Sequence, residues 1–453
     1  MLSNDDNETL CRVGKGTPMG ELFRRFWLPA LLTSELPVPD SGPRRLRLLG
    51  EDLVAFRDSQ GRVGIIAAHC PHKLAPLYFG RNEEGGLRCI YHGWKFDVTG
   101  QCVEIPNLPA SFNVAALKQK AAITGYPTRE AGGFVWVYMG PRDREPQMPG
   151  FEWTAVPPEQ NHVARWLQRT NWAQGMEGEI DSSHISFLHR EFDPVSWGNK
   201  ALVKVTAPIP PGTRDAAPVM TIRETPYGLV YGARRNNDSG DYLWRVTQWF
   251  VPMYSMIPNG EYPRSGRAWV PVDDHNVMVF NYTYRADRPF TTEEWSYLEA
   301  GPSFPPPKEP VAVELDDGYV IDTWVPLARK SNDYQLDRER QKKVNFSGIS
   351  TVTDQDRALQ ENMPSGFGLG PGRIVDRSRE MLVPSDAPVI TARRILIKMA
   401  KDLQKGIEPS QPHDGKLYAP LSMSALAPQA EFDDFLAAWP AGRARVEAGD
   451  GTS

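Results

Sequence analysis

The alternation of apolar and polar positions changes character once along this chain. Between residues 45 and 105 the apolar residues come in short runs, separated by turn signals at Gly50-Glu51-Asp52, Ser59-Gln60-Gly61, Glu84-Gly85-Gly86 and Thr99-Gly100. That spacing predicts antiparallel strands in a small β domain ending near Pro141. Ahead of it, Thr17 and Pro18 have the form of an N-cap and a first-turn proline, opening a short helix toward Phe26.

The second half reads differently. Residues 171–190 predict a helix with Met176, Ile180, His184 and Leu188 along one face. Runs 220–225 and 229–235 flank Pro226-Tyr227-Gly228 as a hairpin, and runs 270–272 and 277–284 flank a turn at Asp273-Asp274-His275-Asn276. Residues 286–315, rich in proline and acid, predict a surface excursion. Val389, Ala392, Leu396, Met399 and Leu403 recur at helical spacing after Pro388; Gly406 stops that helix, and a loop-like tail is expected beyond Ile407. The predicted class is α+β, a small antiparallel β domain followed by a larger α+β domain with an antiparallel sheet and C-terminal helices. The expected division is an N-terminal segment (1–40), the β domain (41–150) and the larger domain (151–453).

Composition narrows the function classes. Of 453 residues, 40% are hydrophobic and 24% charged, which suits globular domains and excludes disorder. A net charge of −5 gives no reason to expect nucleic acid or an acidic membrane surface as partner. The start, Met-Leu-Ser-Asn-Asp-Asp, has no signal-peptide character, and the early apolar run 26–32 is broken by Pro29 and too short to cross a bilayer. A cytoplasmic protein is expected. Four cysteines in so long a chain exclude a disulfide scaffold.

Two of those cysteines stand beside histidines. Cys70-Pro71-His72 and Cys89-Ile90-Tyr91-His92 place two Cys/His pairs on two turns, with sixteen residues between His72 and Cys89. Two thiolates can hold one iron of a [2Fe–2S] cluster while two neutral imidazoles hold the other, which raises the reduction potential above that of an all-cysteine cluster. Zinc is the competing reading, although zinc fingers group their cysteines in one turn and their histidines in another. His69 lies outside the pair spacing, and Cys11 and Cys102 have no histidine at ligand distance in sequence. The stretch 69–108, with Tyr91-His92-Gly93-Trp94-Lys95-Phe96-Asp97, resembles the Rieske domain of ring-hydroxylating oxygenases. That resemblance implies Cys70 and Cys89 on the inner iron and His72 and His92 on the outer. It also marks Lys73 as a departure, because the family usually has arginine there, with a bidentate fork that lysine lacks.

A second metal site is expected if the chain is more than an electron carrier. In Asp181-Ser182-Ser183-His184-Ile185-Ser186-Phe187-Leu188-His189, a regular helix would turn His189 roughly 140° away from His184. Both can reach one ion only if the helix ends or bulges between them; one buried and one surface histidine is the alternative. The run from Asn171-Trp172-Ala173-Gln174 to His189 resembles the mononuclear iron motif of the same family. By that resemblance His184 and His189 are Fe(II) ligands, and Asp181 is the carboxylate bridging toward the cluster. A facial triad needs one more carboxylate, and the candidates are Asp354, Asp356 and Glu361. Acids in this region also suit a helix N-terminus, but the family pattern favours Asp356.

Gly16-Thr17-Pro18-Met19-Gly20 and Asp376-Arg377-Ser378-Arg379-Glu380 look like the phthalate dioxygenase branch. That resemblance implies O₂-dependent hydroxylation of an aromatic carboxylate, phthalate- or phenoxybenzoate-like. It implies electrons from a reductase containing flavin and an iron–sulfur centre, and a homotrimer or stacked trimers. Arg234, Arg235 and Arg245, on strand-like segments, are candidates for holding the substrate carboxylate through paired hydrogen bonds; solvated strand-face arginines are the alternative. A monooxygenase or O-demethylase of similar architecture, and an electron-transfer protein without oxygenase activity, are the rival functions.

Overall fold

The turns between residues 45 and 105 join two four-stranded antiparallel sheets in this computed structural model, which describes residues 2–109, 111–192, 215–259, 261–301, 304–366 and 373–439. One sheet runs Arg44–Leu48, Glu51–Arg57, Val63–Ala67 and Gly125–Tyr126; the other runs Arg81–Glu83, Gly86–Arg88, Lys95–Phe96 and Cys102–Glu104. Each predicted turn carries one glycine at positive φ (Gly50, Gly61, Gly85 and Gly100), where a side chain would be strained. Val54, Phe56, Ile66, Leu77, Leu87 and Phe96 form a core of their own with Cys70 and Cys89.

The larger core extends from Leu10 to Leu421. It is built on an eight-stranded antiparallel sheet ordered Asn161–Gln168, Val277–Tyr284, Arg264–Pro271, Tyr254–Met256, Tyr242–Phe250, Gly228–Asn236, Val219–Thr225, with Met423–Ala427 also paired to Tyr242–Phe250. Both predicted hairpins are present, Thr225 pairing Gly228 and Pro271 pairing Val277. N-terminal helices Asn4–Cys11 and Pro18–Phe23 pack on the helix Ala387–Gln404, and Thr17 caps the second of them.

Two stretches away from the Cys/His and His/Asp clusters depart from expectation. Residues 286–315 hold a helix, Thr292–Ala300, whose capping box joins Thr291 and Glu294, and a strand, Lys308–Glu314, paired with Val320–Pro326. Proline content misled there, because Pro310 sits in a two-stranded ribbon whose edges are open. The tail beyond Ile407 also contributes structure: the strand Met423–Ala427 and the helix Phe432–Ala438, whose Phe432 and Phe435 cover Trp244.

The helix Trp172–Glu179 is pressed onto the large sheet. A Cβ at Gly175 would lie 2.1 Å from the Trp269 ring, so only glycine permits that approach. Glu177, on the same helix, is gripped by Arg377 and Arg393, with Nε–Oε1 distances of 2.9 and 2.8 Å. Burial alone would raise this carboxyl, but the two guanidinium groups outweigh it and hold it at about 2.

Candidate metal centres

The two Cys/His turns are built alike. Cys89 donates its N–H to the Trp94 carbonyl and accepts from Gly93 N–H at 2.9 Å, while Cys70 accepts from Leu74 N–H at 2.9 Å. Leu74 and Gly93, both at positive φ, close the turns. The His72 and His92 rings come within 4.4 Å of each other, and His72 stacks on Trp94, centroids 4.7 Å apart and planes 2° apart. Nδ1 of both histidines is buried with no hydrogen-bond partner. Burial pushes the Cys70 thiol up to about 11, and neighbouring Cys89 adds to the rise. Two inward thiols and two orphaned imidazole nitrogens are the donor set a His-ligated [2Fe–2S] cluster requires. His69 bridges to Pro76 through its backbone, Cys11 lies buried beside Arg377, and Cys102 packs in the core.

The second constellation depends on where a helix stops. Residues 171–190 are not one helix: α-helical structure ends at Glu179 and a 3₁₀ turn, His184–Ser186, follows. Asp181 accepts the Ser183 N–H at 2.6 Å, a local bond that competes with the helix. The break brings His189 back to His184, Nε2 to Nε2 at 3.0 Å. Oδ1 of Asp356 lies 3.2 Å from His189 Nε2 and 3.6 Å from His184 Nε2. One ligand atom from each of the three residues falls within 4.8 Å of the others.

The other acids are engaged elsewhere. Residues two apart on a helix face directions roughly 200° apart, so Asp354 and Asp356, both on the helix Val352–Gln360, cannot share a side. Arg357 takes Asp354 at 2.9 Å and Glu361 at 3.0 Å. Burial pushes the Asp356 carboxyl up, but His189 and His184 outweigh it and hold it below the usual carboxylate range. Sequence reasoning missed Gln355, whose Oε1 lies 2.7 Å from His189 Nδ1; a glutamine on a mixed helix face carries no signal of its own.

Strand alternation separates the three arginines. Arg235 and Arg245 share a face of the large sheet with Tyr231, which donates to the Ile180 carbonyl at 2.8 Å. Arg234 points to the opposite face, bonded to the Ala430 carbonyl and lying over the Tyr242 ring. Arg234 and Arg235 therefore face opposite sides of the sheet. Arg235 donates to the carbonyl of Ser182, next to Asp181. Burial pushes Arg235 and Arg245 each down to about 10, and for Arg235 the charge of Arg245 adds to the effect.

Comparison with known proteins agrees with this layout. Residues 26–122 match the Rieske [2Fe-2S] domain, and residues 137–424 match the LigXa C-terminal domain like family. The phthalate 4,5-dioxygenase oxygenase subunit of Pseudomonas putida is 38% identical over 90% of this chain and 88% of its own length. The 3-chlorobenzoate-3,4-dioxygenase oxygenase subunit of Comamonas testosteroni is 35% identical over 95% and 96%. Dicamba monooxygenase bound to dicamba superposes with a TM-score of 0.53 at 15% identity, over 84% of this chain and 98% of that one, a likeness of fold. The chain belongs to the Rieske non-haem iron ring-hydroxylating oxygenase subunits, in the branch of the phthalate and chlorobenzoate dioxygenases.

Proposed function

We propose that this chain is the oxygenase component of a multicomponent system that hydroxylates an aromatic carboxylate with O₂ and reductase-supplied electrons. One observation carries the substrate class: two buried arginines, Arg235 and Arg245, share a sheet face beside the loop that leads from Asp181 to His184. Their guanidinium groups can hold a carboxylate through paired hydrogen bonds, and a ring carboxylate fits that role.

Cys70, Cys89, His72 and His92 would hold the cluster, and His184, His189 and Asp356 the iron, a two-histidine, one-carboxylate set that leaves open positions. When bound, the cluster supplies single electrons and the Fe(II) supplies a site for O₂ reduction. The chain's own residues do the rest. Arg235 and Arg245 orient the substrate by its carboxylate, and Asp181 fixes the His184 ring.

A reductase with flavin and an iron–sulfur centre is the proposed donor, and the cytoplasm the proposed location. Among the described residues no helix is long and apolar enough to cross a membrane. The assembly we propose is a homotrimer or stacked trimers. Leu74, Ile90 and Tyr91 are exposed around the Cys/His turns, and Phe187, Phe346 and Leu359 are exposed around the histidines and the Asp356 helix. Two different exposed apolar patches support a head-to-tail contact that closes into a ring.

The test is oxygen uptake with phthalate, chlorobenzoates and phenoxybenzoates, driven by a phthalate-type reductase and followed by product analysis. A cis-dihydrodiol is expected, and a phenol formed with release of formaldehyde from a methoxybenzoate tested beside them would place the enzyme among the monooxygenases. No substrate-dependent uptake, with iron equal to the cluster alone, would leave an electron carrier.

A further inference from the structure

We infer that Gln355 is a positioning residue that determines which nitrogen of His189 faces the metal, an inference resting on the metal-centre reading above. Gln355 and Asp356 are neighbours on the helix Val352–Gln360, and they meet the same imidazole from its two ends. Asp356 Oδ1 is 3.2 Å from Nε2, and Gln355 Oε1 is 2.7 Å from Nδ1.

An amide's oxygen and nitrogen are told apart by their partners. Gln355 Nε2 donates to the Ile349 carbonyl at 2.9 Å, and a carbonyl can only accept. Oε1 is therefore the atom turned to the ring, and since it has no proton, Nδ1 of His189 must be the donor. In a neutral imidazole the other nitrogen is then bare. That nitrogen, Nε2, is the one directed at His184 and Asp356.

The anchor behind this arrangement is firm. The Ile349 carbonyl also accepts from Asn345 Nδ2 at 2.9 Å, and Asn345 Oδ1 takes the Gly348 N–H at 2.7 Å. The backbone around Asn345 is tied to the chain just after His189, with Phe192 N–H to the Val344 carbonyl at 2.8 Å and Phe346 N–H to the Arg190 carbonyl at 2.9 Å. Gln355 is buried, so water does not compete for the bond. The two histidines thus have partners of different charge: a carboxylate, Asp181, at 3.4 Å from His184 Nδ1, and a neutral amide on His189. The amide fixes the tautomer without adding a negative charge to the site.

The test uses the full chain with its cluster intact, the mononuclear site stripped by chelator and then titrated with Co(II). Gln355→Met, equal in length but unable to accept the proton, should bind Co(II) about 10–100-fold more weakly. Gln355→Glu keeps an oxygen for Nδ1–H, loses the donor to Ile349 and adds a negative charge behind the ring, so it should bind at least as tightly as wild type. Cluster absorption and Tm report folding in both. If Met and Glu weaken binding alike, the residue serves only to hold Ile349, and if neither weakens it the tautomer is set elsewhere; each result overturns the inference. Wild-type protein that takes up no Co(II) would instead overturn the metal-centre reading, and this inference with it.

Discussion

Oδ2 of Asp181 lies 3.4 Å from Nδ1 of His184, and its other oxygen holds the backbone N–H of Ser183. One carboxylate thus ends the helix and aims the histidine that the ended helix delivers. Asp181→Asn keeps an oxygen for Ser183 but removes the charge. The variant should retain both metals while turnover falls about 10–100-fold, the usual scale for losing a ligand's hydrogen-bond partner. Metal analysis and single-turnover product from pre-reduced enzyme check this. Near-wild-type product would refute the role.

The arginines give a prediction with an internal control. Arg245→Ala or Arg235→Ala should raise KM for an aromatic acid and spare its methyl ester, because the lost bond is to the charge. The cost of a charged hydrogen bond, about 1.5–3 kcal/mol, corresponds to roughly a 10–100-fold change. Arg234→Ala, on the other face of the sheet, should treat acid and ester alike. An acid-specific defect at Arg234 would mean that the strand faces are misassigned.

Much of this site was legible in the sequence because its motifs are local. Cys70 with His72, Cys89 with His92, and Asp181 with His184 and His189 each lie within a stretch of nine residues or fewer, and short-range chemistry shows in spacing. The choice of Asp356 over Asp354 and Glu361 came from the family pattern, and Arg357, one turn away on the same helix, occupies the other two. What stayed hidden depended on how the elements pack. Which of Arg234 and Arg235 faces the histidines depended on which sheet face is which, a matter that hydrophobic pattern leaves open when both residues are polar. The helix stop at Glu179 was hidden because Met176, Ile180 and Leu188 keep the helical period through the break.

Glu177 offers a stability test with a definite sign. Its folded-state value of about 2 lies below the unfolded value of about 4.3. A depressed carboxyl contributes stability that is fully present above the unfolded value and is lost as pH falls through the folded one. Glu177→Gln leaves Arg377 and Arg393 without their shared charge, and should destabilise by about 3–5 kcal/mol near pH 7. The gap to wild type should narrow as pH falls from about 4.5 toward about 2. Denaturant unfolding of both proteins across that range measures it, and a gap that ignores pH would show that the ion cluster contributes little.

Subunit mixing tests the assembly and the electron path together. The Cys/His turns sit in one core and the His184–His189–Asp356 constellation is built on another, each flanked by exposed apolar side chains. If a neighbour's Leu74, Ile90 and Tyr91 cover Phe187, Phe346 and Leu359, each cluster serves the next subunit's iron. Cys89→Ala chains would lack the cluster and His184→Ala chains the mononuclear iron, so each homo-oligomer should be inactive. In a mixed oligomer some contacts join an intact cluster to an intact iron site, and activity should return in part. Transfer within one chain predicts no recovery, because no chain then holds both centres. Mass spectrometry must first confirm that the subunits have mixed. Tyr91→Ser together with Phe346→Ser should then weaken assembly without bleaching the cluster, since both side chains lie outside the donor set. A mixed but inactive oligomer would rule out the path between subunits.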